Sequence, residues 1–306
     1  MPASDPSKSA YKTELAQILA AQPQPGANPH RLFHGVGDDM WFWANTQGYR
    51  DTTALQQILP RMPAEAIQAR FTGRSGDATI REAFLAYQLF RESYERYAAP
   101  LTGNEKILDF GCGWGRIIRL FLRDAEPANI WGIDCLDEAI STATDTNHWS
   151  QFKLVDPMPP TDFPDETFDL VYCFSVFSHL SEDAHLRWVR EFQRLLRPGG
   201  IFIATTRPRE FIEYCGEVRK WKEIPSWALG TAKAFPNTDH WLKLYDQGKL
   251  CYFATGGGGT LDESFYGETC IPKEYVVANW APYFTFRDFV TDRSRCEQNV
   301  IVVQKP

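Results

Sequence analysis

Apolar and polar positions alternate in a strand-then-helix rhythm from about residue 105 to 206. The run KILDF (106–110) is apolar enough for a buried strand, and RIIRLFLRDA (116–125) spaces its apolar residues as one face of a helix. NIWGID (129–134) predicts a second strand, followed by a polar helix from Asp137, while FKLV (152–155) and FDLVYCF (168–174) predict a third and a fourth strand. Ser181 with Glu182 and Asp183 marks a helix start, because a hydroxyl caps free backbone amides and acids favour the positive end of the helix. Trp188, Val189, Phe192, Leu195 and Leu196 then form one apolar stripe, RPGG ends it, and IFIATT (201–206) predicts a fifth strand. Short apolar strands alternating with helices predict an α/β fold with a parallel, doubly wound sheet. Near the end, FTFRDFV (284–290) and NVIVVQK (299–305) predict a hairpin that closes the sheet with an antiparallel edge.

The flanks lack that rhythm. Residues 1–100 hold a Pro-rich start, the aromatic run MWFWANTQGY and a helix over 79–98; residues 207–274 hold three tryptophans and TGGGGT (255–260). Neither flank repeats internally, and both read as caps over the sheet. The expected organisation is an N-terminal helical cap region over 1–100, a ligand-binding core over 101–208, a substrate-side insertion over 209–274, and C-terminal strands over 275–306 that complete the core sheet. Trp41, Phe42 and Trp43, with Trp221, Trp227 and Trp241, fall outside the strand pattern, which favours a pocket wall whose flat faces suit a sugar's C–H face or an apolar ring. TGGGGT has no strand–helix context for a phosphate and suits a lid hinge.

Composition acts mainly by exclusion. The 306 residues carry a formal net charge of -7, so no basic stripe is available to neutralise nucleic-acid phosphates. The first residues have no long apolar core and no apolar run is long enough to span a bilayer, so neither a signal peptide nor a membrane span is expected. The 7 cysteines are scattered and form no CxxC pair, which fits reduced cytoplasmic thiols and offers no metal site.

Chemistry enters with GCGWGR (111–116), directly after the first strand. The dinucleotide pattern G-x-G-x-x-G carries a third glycine beside the pyrophosphate, and here Arg116 occupies that place. No G-K-[ST] follows, so a P-loop is excluded. Asp109, two residues before Gly111, would repel a pyrophosphate but attract a ligand with a positive end. Asp134 ends the second strand, where a carboxylate accepts hydrogen bonds from both ribose hydroxyls. Asp156 ends the third and could meet an adenine amino group, with Pro157 and Met158 against the ring. An adenosine with an amino acid tail and a sulfonium, and without phosphate, satisfies all three: S-adenosylmethionine.

ILDFGCGWGRI, IWGID, PPTDFPDETFDLVYCFSVFSHLSED and RLLRPGGIFIATT together resemble the successive motifs of class I S-adenosylmethionine-dependent methyltransferases, over roughly residues 105–206. YGETCIPKEYVVANW and QNVIVVQK resemble C-terminal elements of methyltransferases of bacterial glycan and natural-product pathways. The resemblance implies a Rossmann-like, seven-stranded, mostly parallel sheet with an antiparallel C-terminal edge strand and helical or irregular caps. It places Asp109, Gly111, Gly113 and Gly115 around the methionine tail, with Cys112 between the glycines as a spacer in that loop. Asp134 then lies on the ribose, Cys135 beside the adenine, Asp156 near its amino group, and Phe174 beside the transferred methyl. Arg74, in FTGRSGD (71–77), could pair with the methionine carboxylate if that loop folds over.

His179 follows the fourth strand, at the carboxyl edge where open α/β sheets bind ligands, and an imidazole titrating near neutrality suits proton removal from a hydroxyl. The alternative is a structural turn, with the ring bonded to backbone ahead of the helix. After the fourth strand there is no N-P-P-Y or D-P-P-Y and no adjacent aspartate for a magnesium site. The expected reaction is therefore metal-independent methylation of a small molecule or glycan, with a hydroxyl as the favoured acceptor. N-methylation of a small amine and a silent S-adenosylmethionine-binding module remain alternatives, and Asp109 with Arg116 disfavours a nicotinamide reductase.

Overall fold

A computed structural model describes residues 6–21, 28–255, 261–262 and 264–306. The glycines of the expected lid hinge, at 256–259, lie outside the described residues. Nine strands occur among them: β1 (Ile107–Phe110), β2 (Ile130–Asp134), β3 (Gln151–Leu154), β4 (Phe168–Cys173), β5 (Leu196–Thr206), β6 (Cys251–Phe253), β7 (Glu268–Cys270), β8 (Thr285–Val290) and β9 (Asn299–Gln304). Seven form one sheet in the order β3-β2-β1-β4-β5-β9-β8, and β6 with β7 makes a separate hairpin. β9 is antiparallel to both β5 and β8, which is the closing edge expected from the sequence. The fold is Rossmann-like. The chain divides into two compact units, residues up to 88 with 101–154, and residues 89–100 with 155–306.

In the first unit β1, β2 and β3 are parallel, and β1 is buried along its whole length, as a strand covered on both faces must be. Asp109 stands beside Gly132 in the register. Gly132 has no side chain because Cys112 and Phe152 fill the space above it. A methyl there would come within 2.9 Å of the Cys112 sulfur and 2.8 Å of the Phe152 ring. Gly132→Ala is expected to lower unfolding stability by about 1–3 kcal/mol through overpacking, measured by urea denaturation; an unchanged midpoint would mean that Phe152 swings aside.

The segment after the glycine loop corrects one expectation. Residues 116–125 do not form an amphipathic α-helix: Ile118–Arg123 is a 3-10 helix with every side chain buried, both arginines included. The polar side is covered by residues 36–62, which supply acceptors to the two guanidiniums. Arg119 donates to the Pro60 carbonyl at 2.7 Å and to the Asn45 amide oxygen at 3.3 Å. With no carboxylate bonded to it among the described residues, burial draws its pKa down to about 10. Arg123 pairs with Asp38, donates to Val36 O and Tyr87 Oη, both at 2.9 Å, and lies over the Trp41 ring. Trp41 is fully buried and donates its indole N–H to Leu120 O at 3.1 Å, while Trp43 is buried as well. These two rings are core rather than a pocket wall, because the tightly wound 3-10 turn needs apolar cover.

In the second unit β4 is entirely buried, and Trp188, Val189, Phe192 and Leu195 face inward from the helix Glu182–Leu195. Ser181 caps that helix, its hydroxyl accepting from the Ala184 amide. Leu196 does not extend the stripe; it begins β5, which runs back through RPGG. The reason is pairing at the end of β9: Gly199 N donates to Lys305 O at 3.0 Å and Lys305 N to Gly200 O at 2.9 Å. The insertion folds more regularly than its sequence suggests, with helices Arg209–Val218, Leu229–Lys233 and Thr238–Asp246 packed with the β6–β7 hairpin around Ile212, Cys215, Phe235, Cys251 and Cys270.

Candidate functional site

The first unit builds a loop from β1 into Ile118. Gly111, Gly113 and Gly115 have φ of 72°, 52° and 80°, the left-handed region that a side chain disfavours. This accounts for glycine at alternate positions without any phosphate. The amides of Gly111 and Cys112 donate to Ile133 O at 2.8 and 3.1 Å, which fastens the loop to the end of β2. Asp134 completes the fastening: one carboxylate oxygen accepts from Gly113 N and the other from Leu136 N, both at 3.0 Å. Burial raises its pKa, and the backbone amides of Leu136, Gly113 and Cys135 oppose that shift. Gly111, Cys112, Gly113 and Asp134 are thus brought into one hydrogen-bonded group, with Gly115 N on Cys112 O at 2.9 Å. Asp109 is buried in β1 below them, and Cys135 follows Asp134 half-buried. Burial holds the Cys112 thiol well above its ordinary range and pushes Cys135 up to about 11, so both stay protonated at neutral pH.

Two neighbours of the loop, Phe71 and Glu82, escaped sequence reasoning. A methyl on Gly113 would lie 3.9 Å from the Phe71 ring, which puts the helix Glu65–Thr72 close to the glycines. Glu82 pairs with Arg116 and faces Arg74 at 3.9 Å. Arg116 is therefore spent on a carboxylate rather than aimed at a phosphate. No motif marks Glu82; only its place on the long helix Gly76–Tyr97 does.

The donor set fits an adenosyl cofactor. The Asp134 carboxylate uses one lone pair on each oxygen for the loops and keeps acceptor capacity for ribose hydroxyls. The Asp109 carboxylate suits a cationic tail.

Asp156, Phe174 and His179 belong to the second unit. Asp156 is exposed, two residues beyond the end of β3, and Phe174 is half-buried directly after β4. The next residue, Ser175, has φ 60° and is held there by its amide on Thr205 Oγ1 at 2.7 Å and by Gln298 on its hydroxyl at 2.9 Å. A left-handed serine at a strand end is local strain of the kind that functional sites keep.

His179 is the best-organised candidate of this unit. Its Nδ1 lies 2.7 Å from Gly267 O, a carbonyl that can only accept, so the proton sits on Nδ1 and the Nε2 lone pair is left over. Gly267 N returns a bond to His179 O at 2.8 Å, and Tyr266 stacks on the imidazole at 5.0 Å with 9° between the planes. Burial lowers the His179 pKa, and Glu268, 3.8 Å from Nδ1, works in the opposite direction. Glu268 in turn receives Arg207 at 3.1 Å. The imidazole is thus bonded to backbone, though at Gly267 rather than within the turn ahead of the helix, and it has the tautomer a base requires. Tyr266, Glu268 and Arg207 were missed because they lie far along the chain from His179. The only signal was YGE, at the head of the late motif.

A model of the methyltransferase domain matches residues 107–200, from β1 into β5. The chain is 26% identical over 137 residues to 2-methyl-6-phytyl-1,4-hydroquinone methyltransferase of Synechocystis sp., a match covering 43% of this chain and 42% of that one. It is 30% identical over 131 residues to sterol 24-C-methyltransferase of Yarrowia lipolytica, covering 40% and 32%. Against malonyl-[acyl-carrier protein] O-methyltransferase of Paenibacillus sp. it is 28% identical over 162 residues, covering 49% and 58%. The chain therefore spans less than two thirds of the length of these relatives.

Proposed function

Residues 107–200 of this chain are a class I S-adenosylmethionine-dependent methyltransferase domain, and from that premise we propose that the protein methylates a hydroxyl on a small-molecule or glycan acceptor. S-adenosylmethionine supplies a methyl group already activated by its sulfonium. The chain's own residues have three tasks: to hold both partners in line, to exclude water, and to remove a proton. Asp134 binds the ribose, and Asp109 with the loop of Gly111, Cys112, Gly113 and Gly115 receives the methionine tail. Cys135 and Asp156 border the adenine, and Phe174 lines the reacting centre. His179 takes the acceptor's hydroxyl proton on Nε2 while Gly267 O holds Nδ1–H in place. Residues 209–274 supply acceptor contacts, residues 1–100 cover the core, and no metal takes part.

The observation that carries this reading is the fixed tautomer of His179, since an Nδ1–H anchored to a carbonyl leaves Nε2 as the acceptor of a proton. The relatives named above are named for a hydroquinone, a sterol and malonyl-[acyl-carrier protein], so their names do not select among acceptors. A hydroxyl is favoured over an amine because an amine loses its proton easily, whereas a hydroxyl benefits more from a base.

Asp134→Ala tests the cofactor half. It removes the ribose acceptor and frees two loop amides, a loss of about 3 kcal/mol, so the Kd for S-adenosylmethionine rises about 100-fold by calorimetry. An unchanged Kd would remove Asp134 from the cofactor site.

A further inference from the structure

At 214–229 the insertion carries a feature that neither cofactor binding nor proton removal uses. Among the described residues, four of the six exposed large apolar side chains fall within 214–229: Tyr214, Trp221, Trp227 and Leu229, with Trp227 70% exposed. Isolated exposed apolar groups need no explanation, but a cluster rimmed by polar residues marks an interaction site. The patch is built rather than collapsed. Ala228 is buried and anchors the 3-10 turn Ser226–Ala228, while its two chain neighbours, Trp227 and Leu229, stay exposed. Arg219 ties the segment down from within, donating to Ala234 O at 2.6 Å, Phe235 O at 3.0 Å and Thr238 Oγ1 at 2.7 Å.

Charge singles out the occupant. In a chain of net charge -7, residues 219–233 hold four basic side chains, Arg219, Lys220, Lys222 and Lys233, against the single acid Glu223. Lys220 is paired with Glu217, but Lys222 and Lys233 are exposed and make no ion pair among the described residues. Tryptophan and tyrosine with lysine is the composition that settles at the headgroup level of a bilayer, the rings below the phosphates and the ammoniums among them. A sugar platform is disfavoured by ring geometry. Tyr214 and Trp221 meet at 76°, Trp221 and Trp227 at 68°, so neighbouring rings share no flat face.

We propose that the segment 214–233 is a peripheral docking surface for anionic lipid membranes. Trp227 and Leu229 enter the interface, while Lys222 and Lys233 meet the headgroups. This is surface attachment; among the described residues no helix is long and apolar enough to cross a membrane. The proposal stands apart from the methyl-transfer reading.

The test is co-sedimentation of the purified full chain with vesicles of phosphatidylcholine alone and with vesicles that also contain phosphatidylglycerol. The expected result is binding to the anionic vesicles that weakens as salt is raised. Trp227→Ala should weaken it about tenfold. Lys222→Glu should also weaken it about tenfold, on the anionic vesicles only. Far-ultraviolet circular dichroism and calorimetry with S-adenosylmethionine on both variants should match the parent, which separates this proposal from the cofactor assignment. Absence of binding to anionic vesicles at low salt would overturn it, as would binding that both substitutions leave unchanged. Quenching of tryptophan fluorescence by maltoheptaose, abolished in Trp227→Ala, without vesicle binding would overturn it in favour of a sugar site.

Discussion

His179→Ala is expected to slow methyl transfer by about 10²–10⁴-fold, with the affinity for S-adenosylmethionine held to within about twofold. The loss follows from chemistry at one atom. A hydroxyl acceptor keeps its proton at neutral pH, so it attacks well only if a neighbouring lone pair takes that proton in the transition state. Nε2 offers the lone pair because Nδ1 is committed to Gly267 O. The pH profile carries the sign. Burial lowers the His179 pKa from the ordinary 6.5, and only the neutral ring is a base. kcat/KM should therefore be flat through neutrality and fall with acid, with the break below that ordinary value. Glu268 favours the charged ring, so Glu268→Gln should move the break to still lower pH. A histidine that merely shapes the turn gives a wild-type acid limb that this substitution does not move. Turnover of His179→Ala within about threefold of the parent would likewise remove the base.

The second large effect concerns acid stability. Two imidazoles are fully buried, His30 in the first unit and His185 in the second. Burial is the leading cause in each, holding His30 at about 4 and His185 at about 3, against 6.5 when exposed. Both rings have a use for their neutral form. His30 Nδ1 lies 2.8 Å from the Asn28 amide oxygen, and His185 Nε2 accepts the Trp280 indole N–H at 2.8 Å. Each folded pKa is below its unfolded value, so below 6.5 the unfolded chain binds protons that the folded chain refuses. The associated stability is complete above that value and is lost as pH falls toward 4 and then 3. Each histidine contributes a slope of about 1.4 kcal/mol per pH unit, so two units of acidification remove about 5 kcal/mol in total. That is comparable with the whole stability of many domains. Asp134, whose pKa burial raises, offsets part of the loss, while Glu105 and Glu191, lowered by hydrogen bonds that outweigh their burial, add to it only at the acid end. Urea denaturation across this window should show the steep fall; a flat profile down to about pH 5 would mean that both rings reach water in the native state.

How far the sequence revealed the molecule can be judged residue by residue. The core strands were legible because buried strands are short apolar runs bounded by breakers, and β1, β2, β4 and the β8–β9 hairpin fall where those runs lie. The cap at Ser181 was legible because its chemistry is local. The segment Ile118–Arg123 was not, because its two arginines read as a solvated face while acceptors from residues 36–62 in fact bury them. Leu196 failed for a similar reason: the pairing that draws RPGG into β5 comes from Lys305, at the far end of the chain. The glycine loop and Asp134 announced themselves through spacing, since left-handed backbone needs glycine and the strand end is fixed by its apolar run. The surroundings of His179 did not. Glu268 opens a hairpin strand of only three residues, and Tyr266 and Gly267 lie just ahead of it, so none of them belongs to a run long enough to leave a periodic signal.

The central claim is that the loop fastened by Asp134 serves S-adenosylmethionine. Calorimetric titration of the intact chain with S-adenosylmethionine, and separately with its demethylated product and with NADH, tests it most directly. Both adenosyl compounds should bind saturably in the micromolar range, with NADH at least about tenfold weaker. Tight binding of NADH with no heat from either adenosyl compound would contradict it.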